Sequence, residues 1–208
     1  MSPKRRVIVY VDGFNFYYGL KSSGWKKYYW LDVVKFFSEF IEPHQELVQV
    51  NYFSAIPDNQ GQQKRQDLFF SANKINPLFK LHLGKFLKKT ITCRKCTNTH
   101  VTYEEKESDV RIATRMISDV VTKKCDVTIL VSADSDLIPP IELIRELDPA
   151  HKIFVYFPPN RKSFDLGSNA NSFIKLERHE PKFASSMLPK QILDPVSNYT
   201  IIRPISWI

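Results

Sequence analysis

Cysteine is scarce in this chain. Three cysteines among 208 residues are too few and too odd in number for a disulfide framework. That excludes the small secreted domains stapled by such bridges and agrees with a reducing compartment. Long apolar runs are also missing, since none approaches the roughly 18 residues a membrane span needs. The basic start, Met1 to Arg6, leads straight into a strand-like segment. It lacks the apolar stretch and small-residue cleavage site of a signal peptide, so a cytoplasmic location without a membrane partner is expected. Internal repeats and low-complexity tracts are absent too. Negative charge is the minority sign: 22 Asp and Glu stand against 30 Lys and Arg, a net +8. A basic surface favours polyanions, although a soluble basic protein without such a partner carries the same balance.

What is present is ordinary globular material, 43% hydrophobic and 25% charged, enough for a real core. Arg6 to Val11 is a β-branched apolar run closed by Asp12-Gly13, the pattern of a buried strand. Asp32 is placed to cap a helix bearing Val33, Phe36, Phe37, Phe40 and Ile41, with Pro43 as its stop. Leu47 to Ile56 reads as a second strand. A polar stretch, Gln60 to Gln66, then precedes a helix carrying Leu68, Phe69, Ala72 and Ile75, and Pro77 ends it. Leu78 to Leu87 reads as extended, Lys88 to His100 as irregular, and Val101 to Glu105 as a short strand. Ser108 is expected to cap a helix with Val110, Ala113, Ile117, Val120 and Val121 inward. Val127 to Val131 is a third core strand, Pro139 to Leu147 a helix, and Lys152 to Phe157 another strand. Alternating strands and helices predict a three-layer α/β sandwich with a mainly parallel sheet. The pattern fades after Glu180, dividing a domain, residues 1–180, from a tail, 181–208, expected to pack on it.

In open parallel sheets, functional groups gather beyond the carboxyl ends of the strands. Asp12 lies just past the first strand, and Asp134 and Asp136 lie just past Val131. If those strands are neighbours, three carboxylates meet at one edge, and Asp109, opening a helix, brings a fourth. Clustered carboxylates repel and take up protons unless a cation compensates them. Their hard oxygens suit Mg²⁺ or Mn²⁺, and such an ion activates water and clamps phosphate. Each Asp taken alone is equally what a helix cap or a turn requires.

These residues also carry a family likeness. The segment Val7-Ile8-Val9-Tyr10-Val11-Asp12-Gly13-Phe14-Asn15-Phe16-Tyr17 resembles the opening motif of NYN domains, a branch of the PIN-like ribonucleases. Ile129 to Pro139, containing Ser132-Ala133-Asp134-Ser135-Asp136, is similar to their second motif, and Glu105 to Val110 to their Glu-Lys-Gly-Val-Asp-Val helix start. Met187-Leu188-Pro189 and Ile202-Arg203-Pro204 before Trp207 are similar to the ending of one bacterial NYN subgroup. The resemblance implies a PIN-like, Rossmannoid sheet of order 3-2-1-4-5 and Mg²⁺- or Mn²⁺-dependent cleavage of RNA. It also implies an acidic site of Asp12, Asp109, Asp134 and Asp136, with Asn15 orienting a ligand or phosphate and Ser132 hydrogen-bonding beside them. Three positions depart from the pattern: Ala133 stands where Gly is usual, Ser108 replaces an apolar residue, and Arg115 sits where many members carry another Asp.

Lys64, Arg65, Lys85, Lys88, Lys89, Arg94 and Lys95 are candidates for an RNA path, with phosphates on the cations and bases on aromatic rings; solvated surface charge is the simpler account of any one of them. Phe14, Phe16, Tyr17, Tyr18, Trp25, Tyr28, Tyr29 and Trp30 crowd beside Asp12, where core packing is the simpler account. Cys93-x-x-Cys96 is half of a zinc site, which needs four ligands; His82 and His100, or a second chain in a homodimer, are the available additions, and a plain pair of thiols is the alternative. Cys125 reads as a small buried residue. The function expected is a metal-dependent endoribonuclease. A catalytically weak RNA-binding or protein-interaction module of the same fold is the alternative that Arg115 and Ala133 favour, and a small-molecule phosphohydrolase is the third.

Overall fold

The computed structural model describes residues 3–92, 96 and 98–207; of residues 85–89, 91–92 and 100–106 it describes the backbone alone. The organising strand is β1, Arg5–Asp12. It pairs in parallel with β2, Gln45–Ala55, on one side and with β5, Val127–Val131, on the other. Successive side chains of a strand point to opposite faces. Val7, Val9 and Val11 therefore enter one core and Ile8 and Tyr10 the other. β3, Phe79–Thr92, β4, Thr99–Lys106, β6, Lys152–Phe157, and β7, Ser172–Lys175, complete a seven-stranded sheet of order β4-β3-β2-β1-β5-β6-β7. Its six parallel strands run 3-2-1-4-5-6 when numbered among themselves. This is the order implied by the resemblance, with β7 added at the edge.

Helices cover both faces. α1, Gly13–Ser22, α2, Val33–Ser38, α3, Gln60–Lys74, and the later α7, Glu180–Ser185, bury Phe16, Phe36, Phe69 and Phe183 against the Val9 face. α4, Ser108–Val121, α5, Ile138–Leu147, and α6, Phe164–Ser168, bury Ile112, Met116, Ile141 and Leu166 against the Tyr10 face. Among the described residues no helix is long and apolar enough to cross a membrane. At the N-terminal ends of β1 and β5 the guanidinium of Arg6 donates to both carboxylate oxygens of Asp126, at 3.1 and 2.9 Å. The pair holds the Asp126 carboxyl below the usual carboxylate range.

Several boundaries differ from the sequence reading. α3 begins at Gln60, because Asn59 caps it by accepting from the Gln62 amide at 3.0 Å. Lys64 and Arg65 are therefore helical, not in a loop. Asp32 caps α2 as expected, but that helix stops at Ser38. The stretch from Lys88, expected to be irregular, continues β3 to Thr92, because β4 supplies an antiparallel partner for Lys85 to Thr92. In α4, Val110 and Val121 are 67% and 55% exposed rather than inward. The buried stripe is Ile112, Met116, Asp119 and Val120. A polar residue holds one inward position, which an apolar pattern cannot register: Asp119 is buried because the Tyr10 hydroxyl and the Lys124 ammonium both donate to it, each at 3.1 Å. Ser108 is the first helical residue, not the cap, and Glu107 before it takes a left-handed turn, φ 78°.

The segment after β7 is fastened to the Val9 face. The Phe183 ring lies 4.2 Å from Phe36, 5.3 Å from Trp25 and 6.2 Å from Phe16. The Trp30 indole donates to the Pro189 carbonyl at 2.8 Å, and Trp207 packs 5.7 Å from Tyr29. A short hairpin, β8, Gln191–Leu193, with β9, Thr200–Ile202, lies between them. Replacing Phe183 with Ala should cost about 3–5 kcal/mol, the usual loss for a buried aromatic. Denaturant unfolding measures it; a loss below about 1 kcal/mol would mean that this segment adds little to the core.

Candidate active site

Asp12 is the last residue of β1 and the cap of α1. Its Oδ1 accepts from the Asn15 amide at 2.9 Å, and its Oδ2 accepts from Asn15 Nδ2 and from Ser132 Oγ, each at 2.8 Å. The residue is 4% exposed. Burial raises its carboxyl above the ordinary range, the Asn15 and Ser132 hydrogen bonds oppose the rise, and the nearby Asp134 adds to it. Gly13 makes the strand-to-helix turn sterically feasible: a Cβ there would sit 2.5 Å from the Phe53 carbonyl oxygen and from a Tyr52 ring carbon.

β5 ends one residue before Ser132, which is fully buried. Its hydroxyl donates to Asp12 and accepts from the Asp134 amide at 3.1 Å. Asp134 in turn caps a single 3₁₀ turn by accepting from the Asp136 amide at 3.0 Å. Asp134 is half-buried and Asp136 exposed. Asp109 arrives from the opposite direction, in the first turn of α4. Its carboxyl is pushed up to about 6, first by burial and then by the charges of Asp12, Asp134 and Asp136. The four carboxyl groups therefore share one electrostatic neighbourhood at the carboxyl edge of β1 and β5.

The donor chemistry of that set fits a hard divalent ion, because every donor is a carboxylate oxygen. Asp12, Asp134 and Asp136 are near enough to Asp109 for their charges to raise its pKa. Even so, among the described residues no three His, Cys, Asp or Glu side chains are gathered closely enough to hold an ion as they stand. Like charges repel, and a bound cation would offset that repulsion.

On the α4 side of β2 and β3 lies a polar contact that the sequence did not reveal. His82 Nε2 is 2.8 Å from Asn51 Oδ1, and its ring stacks on Phe53 at 4.6 Å. Burial and then the Arg115 charge lower the His82 pKa. These contacts hold the His82 ring against β2. Cys96 is exposed, and Cys93 lies outside the described residues, as does the His100 side chain. Arg115 Nε stands 3.4 Å from Asp119 Oδ2, an ion pair without hydrogen-bond geometry. Cys125 is buried.

Of the basic candidates, Lys64 is exposed on α3, while Arg65 lines a cleft on the Val11 side of the sheet. The side chains of Lys85, Lys88 and Lys89, and the whole of Arg94 and Lys95, lie outside the described residues. The cleft has a volume of about 1220 Å³ and is bounded by α1, the end of β2, α3 and the C-terminal turn holding Trp207. The aromatic cluster divides accordingly. Phe16, Tyr28 and Trp30 are core, whereas Phe14 and Tyr17 are each 37% exposed and face the cleft. Sequence reasoning missed Tyr52, Phe69 and Trp207 as members of this wall, since four separate segments build it.

Comparison with known proteins gives three results. A protein named 6-hydroxy-3-succinoylpyridine 3-monooxygenase HspA, from Pseudomonas putida, is similar at 26% identity over 99% of this chain and 76% of its own. A crystal structure of a protein of unknown function from Vibrio parahaemolyticus shares the fold, with a TM-score of 0.58 and 21% identity, covering 85% of this chain and 95% of that one. The family model described as NYN domain matches residues 6–177, so the chain belongs to the NYN domain family, within the PIN-like nuclease superfamily.

Proposed function

We propose that this protein is a ribonuclease that hydrolyses RNA phosphodiester bonds with Mg²⁺ or Mn²⁺ held by Asp12, Asp109, Asp134 and Asp136. The observation that carries the reading is the Asp109 carboxyl, raised to about 6 by burial and by three other carboxylates reaching it from two strand ends. Membership of a nuclease superfamily supports the same chemistry. When bound, such an ion lowers the pKa of water and stabilises charge on the phosphate. The chain's own part is positional. Asn15 and Ser132 fix the Asp12 carboxylate on both oxygens, the role that hydrogen-bonding partners of metal ligands ordinarily take. Asp134 and Asp136 stand nearer solvent, where a strand crossing the sheet edge meets them. The net charge of +8 draws RNA towards a site whose own acids repel it.

A second reading rests on the similarity to the Pseudomonas monooxygenase and on the aromatic cleft: oxygen insertion into a pyridine-type acid. Incubation with RNA and Mn²⁺, and separately with 6-hydroxy-3-succinoylpyridine, oxygen and a chemical reductant, separates the two by product.

Asp12→Asn and Asp134→Asn should each lower metal-stimulated RNA cleavage by more than about 100-fold with unchanged circular dichroism, and Ser132→Ala, one step removed, by about 10–100-fold. Wild-type rates in both Asn variants would overturn the assignment. If the wild type binds RNA without cutting it, the protein is a binding module of this fold.

The Asp109 titration gives an independent check. The folded chain holds this proton up to about pH 6, whereas the unfolded chain releases it near 3.9. Its contribution to stability is therefore fully present below about pH 4 and is lost as pH rises through about 6. Asp109→Asn removes that dependence, so its stability relative to wild type should climb across this window and level off above it. Thermal melts follow the difference, and a constant value from about pH 4 to 7 would contradict the shared neighbourhood. Mn²⁺ should reverse the wild-type trend, because only the deprotonated carboxylate binds it.

A further inference from the structure

The acidic chemistry makes no use of the cleft on the other side of the Gly13 turn. One wall is the face of α1 that carries Phe14, Tyr17 and Tyr18, and Tyr29 and Trp207 continue it. Neighbouring ring centres lie 4.6 Å apart for Phe14 and Tyr18, 5.0 Å for Tyr17 and Tyr29, and 5.7 Å for Tyr29 and Trp207. Three cations line the same space, Lys21, Lys26 and Arg65, against one acid, Asp58. Among the described residues none of the three cations is in an ion pair. The Lys21 ammonium lies 5.4 Å from the centre of the Tyr18 ring. At about 1220 Å³, the space exceeds the roughly 300–1,000 Å³ of a typical small-ligand site.

We propose that this cleft receives an unpaired base of single-stranded RNA, with the adjoining phosphates on Lys21, Lys26 and Arg65, so that the strand crosses the sheet edge at the acidic cluster. The proposal rests on the ribonuclease reading and names its substrate class. Aromatic faces stack on any base, and cations beside them follow the backbone. A base paired within a duplex is stacked on its neighbours and is not available to such a wall. Charge complementarity is specific to an anionic partner, because unpaired cations flank exposed rings. Tyr29 adds no negative charge at neutral pH: burial, and then the adjacent Tyr17, push its hydroxyl up to about 12. Continuity with the acids is covalent. Asp12 faces one side of the sheet, while Gly13 and Phe14, the next two residues, line the cleft on the other.

The test is fluorescence anisotropy in EDTA, comparing a short single-stranded RNA of mixed sequence, an abasic strand of equal length and a duplex. The wild type should prefer the base-bearing single strand by about 5- to 100-fold over the other two. Tyr17→Ala and Phe14→Ala should each shrink that preference, whereas Tyr17→Phe should keep it; both Ala positions are partly exposed, and circular dichroism checks their folding. Lys21→Ala with Arg65→Ala should weaken all three ligands and flatten the salt dependence. Equal affinity for the base-bearing and abasic strands, or an undiminished preference in both Ala variants, overturns the proposal. So does binding of 6-hydroxy-3-succinoylpyridine that Tyr17→Ala abolishes in a protein that holds no RNA strand. Cleavage with Mn²⁺, assayed in parallel, separates the two claims. Cutting without base preference leaves the ribonuclease standing and removes the base-binding cleft, and base preference without cutting does the reverse.

Discussion

The hydrogen bond from Ser132 to Asp12 joins the ends of two neighbouring strands across a buried boundary. The same hydroxyl accepts from the Asp134 amide, so one oxygen sets the position of a carboxylate from β1 and of the turn leaving β5. At the opposite ends of the same strands, the paired hydrogen bonds of Arg6 with Asp126 close the frame. β1 and β5 are thereby fixed at both ends as well as along their ladder. The acidic edge inherits that rigidity, because a sliding strand would have to break a polar contact sealed from water.

Burial and charge act against each other at this edge. Asp12 is nearly sealed and stabilised by three hydrogen bonds, while Asp109 is more open yet strongly perturbed. Proteins ordinarily place like charges apart, and retaining four such groups at one edge opposes folding unless a counter-charge arrives. Perturbed groups of this kind cluster at functional sites, although structural networks also produce them. The deeper polar group of Asp119, Tyr10 and Lys124 illustrates the structural case: its charges are matched locally, and the residues serve to seat α4.

Much of the central fold was legible because its signals are local. Val7 to Val11 and Val127 to Val131 are β-branched runs that end in Asp and Ser, and both the strands and their exits follow from that pattern. The acidic positions were legible for the same reason, since a carboxyl at the end of a parallel strand can only lie at the sheet edge. What escaped depended on distant partners. β3 reads as irregular beyond Leu87 until β4 is known to lie alongside. The inward face of α4 was misread because buried Asp119 breaks the apolar stripe. The cleft was not readable at all, since Phe14, Tyr52, Arg65 and Trp207 come together only through the fold. Phe183, the hub of one core, lies beyond the point where the periodic pattern fades.

The division of labour along β3 has an evolutionary corollary. Its first part, Phe79 to Gly84, belongs to the parallel sheet through β2, and its second part, Lys85 to Thr92, belongs to β4 alone. Among the described residues no hydrogen-bonded register connects that outer ribbon to β1 or β5. Residues can be gained or lost there in pairs, lengthening or shortening the ribbon, without moving a single partner in the parallel strands. Variation among relatives is therefore expected to concentrate in the ribbon, as it does in exposed segments that a rigid scaffold leaves unconstrained, while the spacing between Asp12 and Asp134 stays under the control of β1 and β5, which pair with each other and not with the ribbon's described backbone.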